Sequence, residues 1–284
     1  MSELNEYMTA APPEDMPLDE RFRFGKNWAA FLKRLDDGRI IEAEQTLTKM
    51  MGVSYLEGKS FLDIGCGSGL FSLCARRLGA RVVSFDFDPD SVHCAEELRN
   101  RYFPGDSNWD IQQGSALDAD YVRSLGDFDV VYSWGVLHHT GNMWKGLGNA
   151  ADRVRQNGLL YVAIYNDQGN TSKRWLRVKK WYNKLPMPGK KAMLGYFLGR
   201  LWALTFLRDL MKFGNPMHSW NNYRSVRGMN AWNDLVDWVG GYPFEVAKPE
   251  EIFDFYRAQG FELRAMKTCA GGLGCNEFVF VRKR

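Results

Sequence analysis

Long apolar runs are missing from this chain. Nowhere do about 18 apolar residues follow one another without interruption, which excludes a transmembrane helix. Residues 1–17 have neither a basic stretch nor an apolar core, so no secretory leader is expected. Cysteine is scarce. Cys66, Cys74, Cys94, Cys269 and Cys275 are odd in number and lack Cys-x-x-Cys spacing. That pattern excludes a disulfide scaffold and points to free thiols in a reducing cytoplasm. Overall charge is close to balanced, +3 over 284 residues, and 45% of the residues are apolar. Disordered and collagen-like classes are therefore excluded. There is no internal repeat and no low-complexity segment.

What is present is unevenly spread. Residues 167–247 hold thirteen Lys/Arg against five Asp/Glu, a net of +8, and six of the ten tryptophans. The remainder has a net charge of −5. A composition shift of that size suggests an inserted element. Residues 1–18, with Pro12, Pro13 and Pro17, read as an arm. Two helices are expected over 19–52, broken at Gly38. Strands at 60–64, 81–86, 109–113, 128–133 and 159–164 then alternate with helices at 69–78, 89–101, 118–125 and 143–156. After a basic helix (172–184), an apolar helix (190–212) and a loop region (213–243), a helix at 249–259 and strands at 261–268 and 276–282 follow. The alternation predicts an α/β, doubly wound, mostly parallel sheet with helices on both faces and right-handed crossovers.

The strongest local signal is the run Asp63-Ile64-Gly65-Cys66-Gly67-Ser68-Gly69, a buried strand running through glycines into a helix. Gly65, Gly67 and Gly69 allow the backbone close to a ligand. Their spacing is not the Gly-x-Gly-x-x-Gly of a dinucleotide site. Asp63 would repel a pyrophosphate and suits a ligand that carries an ammonium group. Asp86, at the end of the second strand, stands 17 residues after Gly69 and could accept both hydroxyls of a ribose. The plainer reading of Asp86, or of Asp88, is a cap on the helix that starts near Pro89.

The chain carries four such signals in order. They are the glycine run, Asp86, Gly114-Ser115-Ala116-Leu117-Asp118, and Asp129-Val130-Val131-Tyr132-Ser133-Trp134-Gly135-Val136-Leu137-His138-His139. Together they resemble the class I S-adenosylmethionine-dependent methyltransferases, in particular the ubiquinone- and menaquinone-type branch. The resemblance covers about 55–165 and 248–284. It implies a Rossmann-like, seven-stranded sheet closed by a reversed strand, with S-adenosyl-L-methionine as cofactor and S-adenosyl-L-homocysteine as product. By resemblance, Asp63 and Gly65 face the methionine part of the cofactor, Asp86 holds the ribose and Phe87 lies beside the adenine. Ser115 and Ala116 stand at the adenine edge, where many relatives carry an acid in place of Ser115. Ser133 and Trp134 lie next to the methionine moiety. In Arg23-Phe24-Gly25-Lys26-Asn27-Trp28, Lys26 could reach the cofactor carboxylate. The plainer reading is that Phe24 and Trp28 dock a helix on the sheet.

Methyl transfer from a sulfonium is an in-line displacement, for which positioning supplies much of the rate. A base is needed only where the nucleophile must lose a proton. His138 and His139 are the candidates, and His139 is preferred. Packing and capping are the alternative for both. No metal site is expected. Tyr165 and Asn166 leave the fifth strand at the same rim and could line a substrate pocket. Arg224 and Arg227 could hold an anionic group.

Three units are expected: an N-terminal arm with helices (1–54), a cofactor-binding catalytic domain (55–166 and 248–284) and an inserted helical substrate cap (167–247). A basic helix followed by an apolar one suits a polyprenyl or lipid-linked substrate at an anionic membrane. The plainer reading, and the favoured one, is that the two helices pack on each other or across a homodimer. Nucleic acid is disfavoured, because neither an Asn/Asp-Pro-Pro-aromatic motif nor a Pro-Cys pair is present. The expected activity is O-methylation of a small-molecule, lipid-linked or sugar hydroxyl in the cytoplasm, peripheral at most to the inner face of the membrane. N- or C-methylation and a non-catalytic cofactor-binding module are the alternatives.

Overall fold

The computed structural model describes residues 22, 24–223 and 231–283, apart from the side chains of Lys26 and Ala30. The expected arm (1–18) and the arginines Arg224 and Arg227 lie outside the described residues.

Two helices, α1 (Gly25–Leu32) and α2 (Asp37–Met51), precede the sheet. The break between them falls before Asp36, not at Gly38. Asp36 caps α2 by accepting the Arg39 N–H at 2.9 Å, so Gly38 lies inside the first turn. Then come β1 (Ser60–Ile64), α3 (Leu70–Arg77), β2 (Arg81–Asp86), α4 (Pro89–Tyr102), β3 (Trp109–Gln113), α5 (Ala119–Ser124), β4 (Phe128–Trp134), a 3₁₀ turn (Leu137–His139), α6 (Met143–Asp152) and β5 (Val154–Tyr165).

Helix α6 ends four residues earlier than expected and β5 starts five residues earlier. Val154 pairs with Phe128, and the ladder shifts register before Val130 meets Leu159. Asn157, at φ 61°, turns the chain inside that shift.

The chain continues through α7 (Asn170–Lys184), α8 (Met187–Phe213), α9 (His218–Asn221) and α10 (Ala231–Gly240), then α11 (Pro249–Ala258), β6 (Phe261–Lys267) and β7 (Cys275–Arg282). Helices α9 and α10 lie in the stretch expected to be loop. Ala231, Leu235 and Val239, at i, i+4 and i+8, form the buried stripe of α10.

The seven strands form one sheet in the order β3-β2-β1-β4-β5-β7-β6. All are parallel except β7, which runs against both β5 and β6. This is the expected doubly wound architecture with one reversed strand. β1 is buried along its whole length, as a central strand covered on both faces must be. One apolar core, around Phe61, Leu73, Trp109 and Tyr161, lies on one face with α1 and α2. A second, around Leu62, Leu147, Tyr256 and Phe280, lies on the other. A third, smaller core of Trp175, Tyr182, Leu194, Leu235, Val239 and Phe244 joins the helices that follow β5. The doubly wound order puts the strand-order switch between β1 and β4, and their carboxyl ends open there.

Candidate active site

At that switch point β1 ends in the glycine turn. Gly65, Gly67 and Gly69 all have positive φ, 74°, 56° and 79°, which β-carbon-bearing residues rarely adopt. A Cβ at Gly65 would stand 2.3 Å from Val136 Cγ1, and one at Gly67 would stand 2.9 Å from the Trp28 indole. The turn is therefore packed tightly against the chain's own atoms, with α1 laid over it.

Asp86 ends β2 beside this turn. One carboxylate oxygen accepts the Gly67 N–H at 2.9 Å and the other accepts the Asp88 N–H at 2.9 Å. The Phe87 N–H also donates to this carboxylate. Desolvation pushes the Asp86 carboxyl up to about 6, against the opposing pull of its backbone donors. The helix cap is Asp88, which accepts the Asp90 N–H at 3.0 Å and also the Gly25 N–H of α1 at 3.0 Å.

Asp63 is buried and accepts a 2.6 Å hydrogen bond from Ser72 on α3. Burial pushes its carboxyl up to about 7. Burial also raises the Cys66 thiol well above its ordinary value, so Cys66 is an inert thiol within the turn. Phe87 is half-buried next to Asp86. Ser115 accepts the Leu117 N–H at 3.1 Å, and the Ala116 carbonyl accepts from Asn149 at 2.8 Å.

Ser133 is fully buried, and its hydroxyl donates to the Ile64 carbonyl at 3.0 Å. It joins the ends of β1 and β4 from inside. Trp134, half-buried, hydrogen-bonds Tyr161, whose hydroxyl donates to Glu277. The Lys26 backbone lies in α1, and its side chain is outside what the structure describes.

The two histidines occupy the 3₁₀ turn after β4 and differ sharply. His138 is buried, stacks on Tyr165 at 3.9 Å, and its Nδ1 accepts the Tyr165 N–H at 3.3 Å. His139 is half-buried and its Nδ1 lies 2.6 Å from the Pro243 carbonyl oxygen. A carbonyl can only accept, so Nδ1 carries the proton and Nε2 is the basic nitrogen. Phe24 of α1 packs on the His139 ring at 4.9 Å. Glu245 grips the same turn: its carboxylate accepts the Gly141 and Met143 N–H groups at 3.0 and 3.1 Å, and its own N–H donates to the His138 carbonyl at 2.9 Å.

A cavity of about 600 Å³ opens beyond Trp134, Gly135 and Tyr165, roofed by Trp202 and by Asp237 and Trp238 of α10. Asn166 is turned away from it. Its amide oxygen accepts from Asn276 at 3.0 Å and its nitrogen faces the Gly272 carbonyl, so it pins the β6–β7 hairpin. Lys179, within the basic helix, is buried among Tyr165, Trp238 and Phe244, with its ammonium donating to the Trp238 carbonyl. Desolvation lowers it to about 7. Sequence reasoning also missed Asp237, which accepts from Asn27 of α1. No local signal could have found either contact.

A groove of similar volume lies at the opposite, amino-terminal edge of the strands, lined by Lys59, Arg76, Arg81 and Arg155. Asp129 and Asp106 pair with three of these cations. It is remote from all the residues above. Among the described residues no cluster of three or more His, Cys, Asp or Glu is placed to hold a metal.

A doubly wound sheet with a positive-φ glycine turn, and an acid at the end of the next strand, defines a protein that binds an adenosyl cofactor at the switch point. A methyltransferase-domain family model matches residues 62–160. The ubiquinone biosynthesis O-methyltransferase of Brucella ovis is 30% identical over 190 residues, covering 60% of this chain and 70% of the relative. Among solved structures, an O-methyltransferase family protein from Burkholderia thailandensis superposes with a TM-score of 0.55 at 14% identity. That match covers 99% of this chain and 67% of the other. The N-methyltransferase NodS from Bradyrhizobium japonicum, solved with S-adenosylhomocysteine, gives 0.50 at 14% identity over 93% of this chain and 100% of the other. The chain belongs to the class I S-adenosylmethionine-dependent methyltransferases, and S-adenosylmethionine is its cofactor.

Proposed function

We propose that this enzyme methylates a hydroxyl oxygen of a small-molecule or lipid-linked acceptor, with His139 as general base. When bound, S-adenosylmethionine supplies an electrophilic methyl group on a sulfonium sulfur. The glycine turn and Asp63 receive the methionine end. Asp86 accepts the ribose hydroxyls, Phe87 lies against the adenine, and Ser115 and Ala116 border it. Ser133 acts from inside by holding the ends of β1 and β4 together, and Trp134 walls the passage towards the acceptor. Residues 167–247 serve as the cap over 55–166 and 248–284, and Tyr165 forms the cavity wall nearest the histidines.

The observation that carries the base assignment is the His139–Pro243 contact. It fixes the tautomer with a basic Nε2, the form that takes a proton from a hydroxyl as its oxygen attacks. His138, with its Nδ1 engaged by Tyr165, positions the turn. Transfer to a hydroxyl oxygen, the kind of transfer named for the Brucella relative, is served by such a base because the hydroxyl sheds its proton.

The test is transfer of labelled methyl from S-adenosylmethionine into cell extract, followed by separation of organic-soluble from water-soluble product and identification of the methylated atom. A methyl ether is expected. A product methylated only on nitrogen or carbon sinks the proposal.

A further inference from the structure

The helices after β5 present a surface that the reaction does not use. Residues 170–221 hold eleven Lys/Arg and a single acid, Asp209. Asp209 is buried, and of the eleven cations only Lys179 is. Within this basic unit, α8 runs 27 residues with only Leu194 and Asp209 buried. At 100° per residue, Tyr196, Ala203, Leu204, Leu207, Leu210 and Met211 fall on one side of it, opposite Leu194 and Asp209. That side is open: Leu204 is 80% exposed and Met211 81%. Arg200 is the one charge within it, while Lys190 and Arg208 lie along one edge. Met217, also exposed, follows the end of the helix, and Trp181 stands exposed on α7.

An apolar helix face with one cation in it and others along one edge, on a unit of net positive charge, has two physical complements. One is a second copy of the same face. Pairing two caps would bring two sets of like charges together with nothing between to neutralise them, and like charges oppose such pairing. The other is an anionic bilayer surface. There, lysines and arginines meet lipid phosphates and the apolar side chains enter the acyl boundary. No described helix is long and apolar enough to cross a membrane, so α8 can lie on a bilayer and not span it.

We propose that the cap docks on an anionic lipid surface. Helix α8 lies in the interface, with Tyr196, Leu204, Leu207, Leu210 and Met211 towards the acyl chains and the neighbouring lysines and arginines among the head groups. The docking is a property of the cap surface and holds whichever acceptor the enzyme methylates.

The whole protein is floated with phosphatidylcholine vesicles containing phosphatidylglycerol, and separately with phosphatidylcholine vesicles alone. Recovery with the anionic vesicles only, falling as salt is raised, is expected. The double substitution Leu204→Glu and Met211→Glu, at positions with no packing to lose, is expected to weaken vesicle partitioning at least about tenfold. S-adenosylhomocysteine titration of that variant, expected to match the wild type, guards against misfolding. No flotation with either vesicle, equal flotation with both, or binding that survives the double substitution overturns the proposal. A dimer in sedimentation equilibrium that the double substitution converts to monomer, without flotation, assigns the face to a second copy and overturns it too.

Discussion

The backbone N–H of Gly67 donates to the carboxylate of Asp86 at 2.9 Å, so the turn after β1 and the acid that ends β2 form one unit. Asp86→Ala removes both the proposed ribose acceptor and the anchor of the turn. It is expected to weaken S-adenosylhomocysteine binding by about ten- to a hundredfold, the worth of hydrogen bonds to a charged group. Calorimetric titration reads it directly, and an unchanged Kd removes Asp86 from the cofactor site.

The same carboxylate sets a pH dependence. Its value is raised from 3.8 to about 6 in the fold. The folded state therefore holds the extra proton between those values, and stability from this group is fully present below 3.8 and lost as pH rises through about 6. A ribose that donates to the ionised form reverses the preference. Cofactor affinity is expected to be flat above about pH 7 and to fall by up to about tenfold per pH unit below about 6. Asp86→Asn should bind weakly but without that slope. An identical slope in the variant assigns the titration elsewhere, with Asp63, raised to about 7, as the first alternative.

For His139, replacement by Ala is expected to lower kcat by about 10²- to 10⁴-fold with little change in S-adenosylhomocysteine affinity. Single-turnover methyl transfer measures it. Full activity in His139→Ala means that the acceptor is already ionised or that another group takes its proton.

How far the sequence could be read depended on whether a feature was local. The glycine turn, Asp86 and the run from Asp129 to His139 are contiguous segments in which spacing and residue type are themselves the signal. They located the strand ends and, through the resemblance, the sheet and cofactor. The resemblance places Ser133 next to the methionine moiety, but it does not show how the side chain is held. Only the pairing of β1 with β4 reveals that its hydroxyl faces Ile64. Lys179 is one of the cations that make its helix basic, and its burial depends on Trp238 and Phe244, some sixty residues away. Helix α10 was masked by its neighbouring glycines and tryptophans, although its i, i+4, i+8 stripe was present.

Gly65→Ala tests the turn's geometry. The new Cβ would meet Val136 at 2.3 Å with φ at 74°, and a loss of about 2–4 kcal/mol is expected from overpacking plus backbone strain. Urea unfolding of Gly65→Ala and of Gly65→Ala with Val136→Ala separates the two. The second substitution should relieve part of the loss, and no relief means that the clash is not the cause.

Lys179 supplies a contrasting titration. Burial depresses it from 10.5 to about 7, so the folded state holds fewer protons between those values. The stability tied to its neutral form is fully present above 10.5 and lost as pH falls through about 7. Wild type is therefore expected to gain thermal stability relative to Lys179→Met as pH rises from 7 to 10, read as the difference between the two melting temperatures. A constant difference places the ammonium in a solvated site.

Helix α1 has only two turns, yet it meets four parts of the molecule. Gly25 donates to Asp88, Trp28 roofs Gly67, Phe24 packs on His139 and Asn27 donates to Asp237. It is a crossbar between the turn proposed to receive the methyl donor and the cavity that Asp237 lines, and a shift at one end is expected to be felt at the other. Binding of donor and acceptor at those two proposed places would then form one thermodynamic cycle, in which the factor by which the donor alters acceptor affinity equals the factor by which the acceptor alters donor affinity.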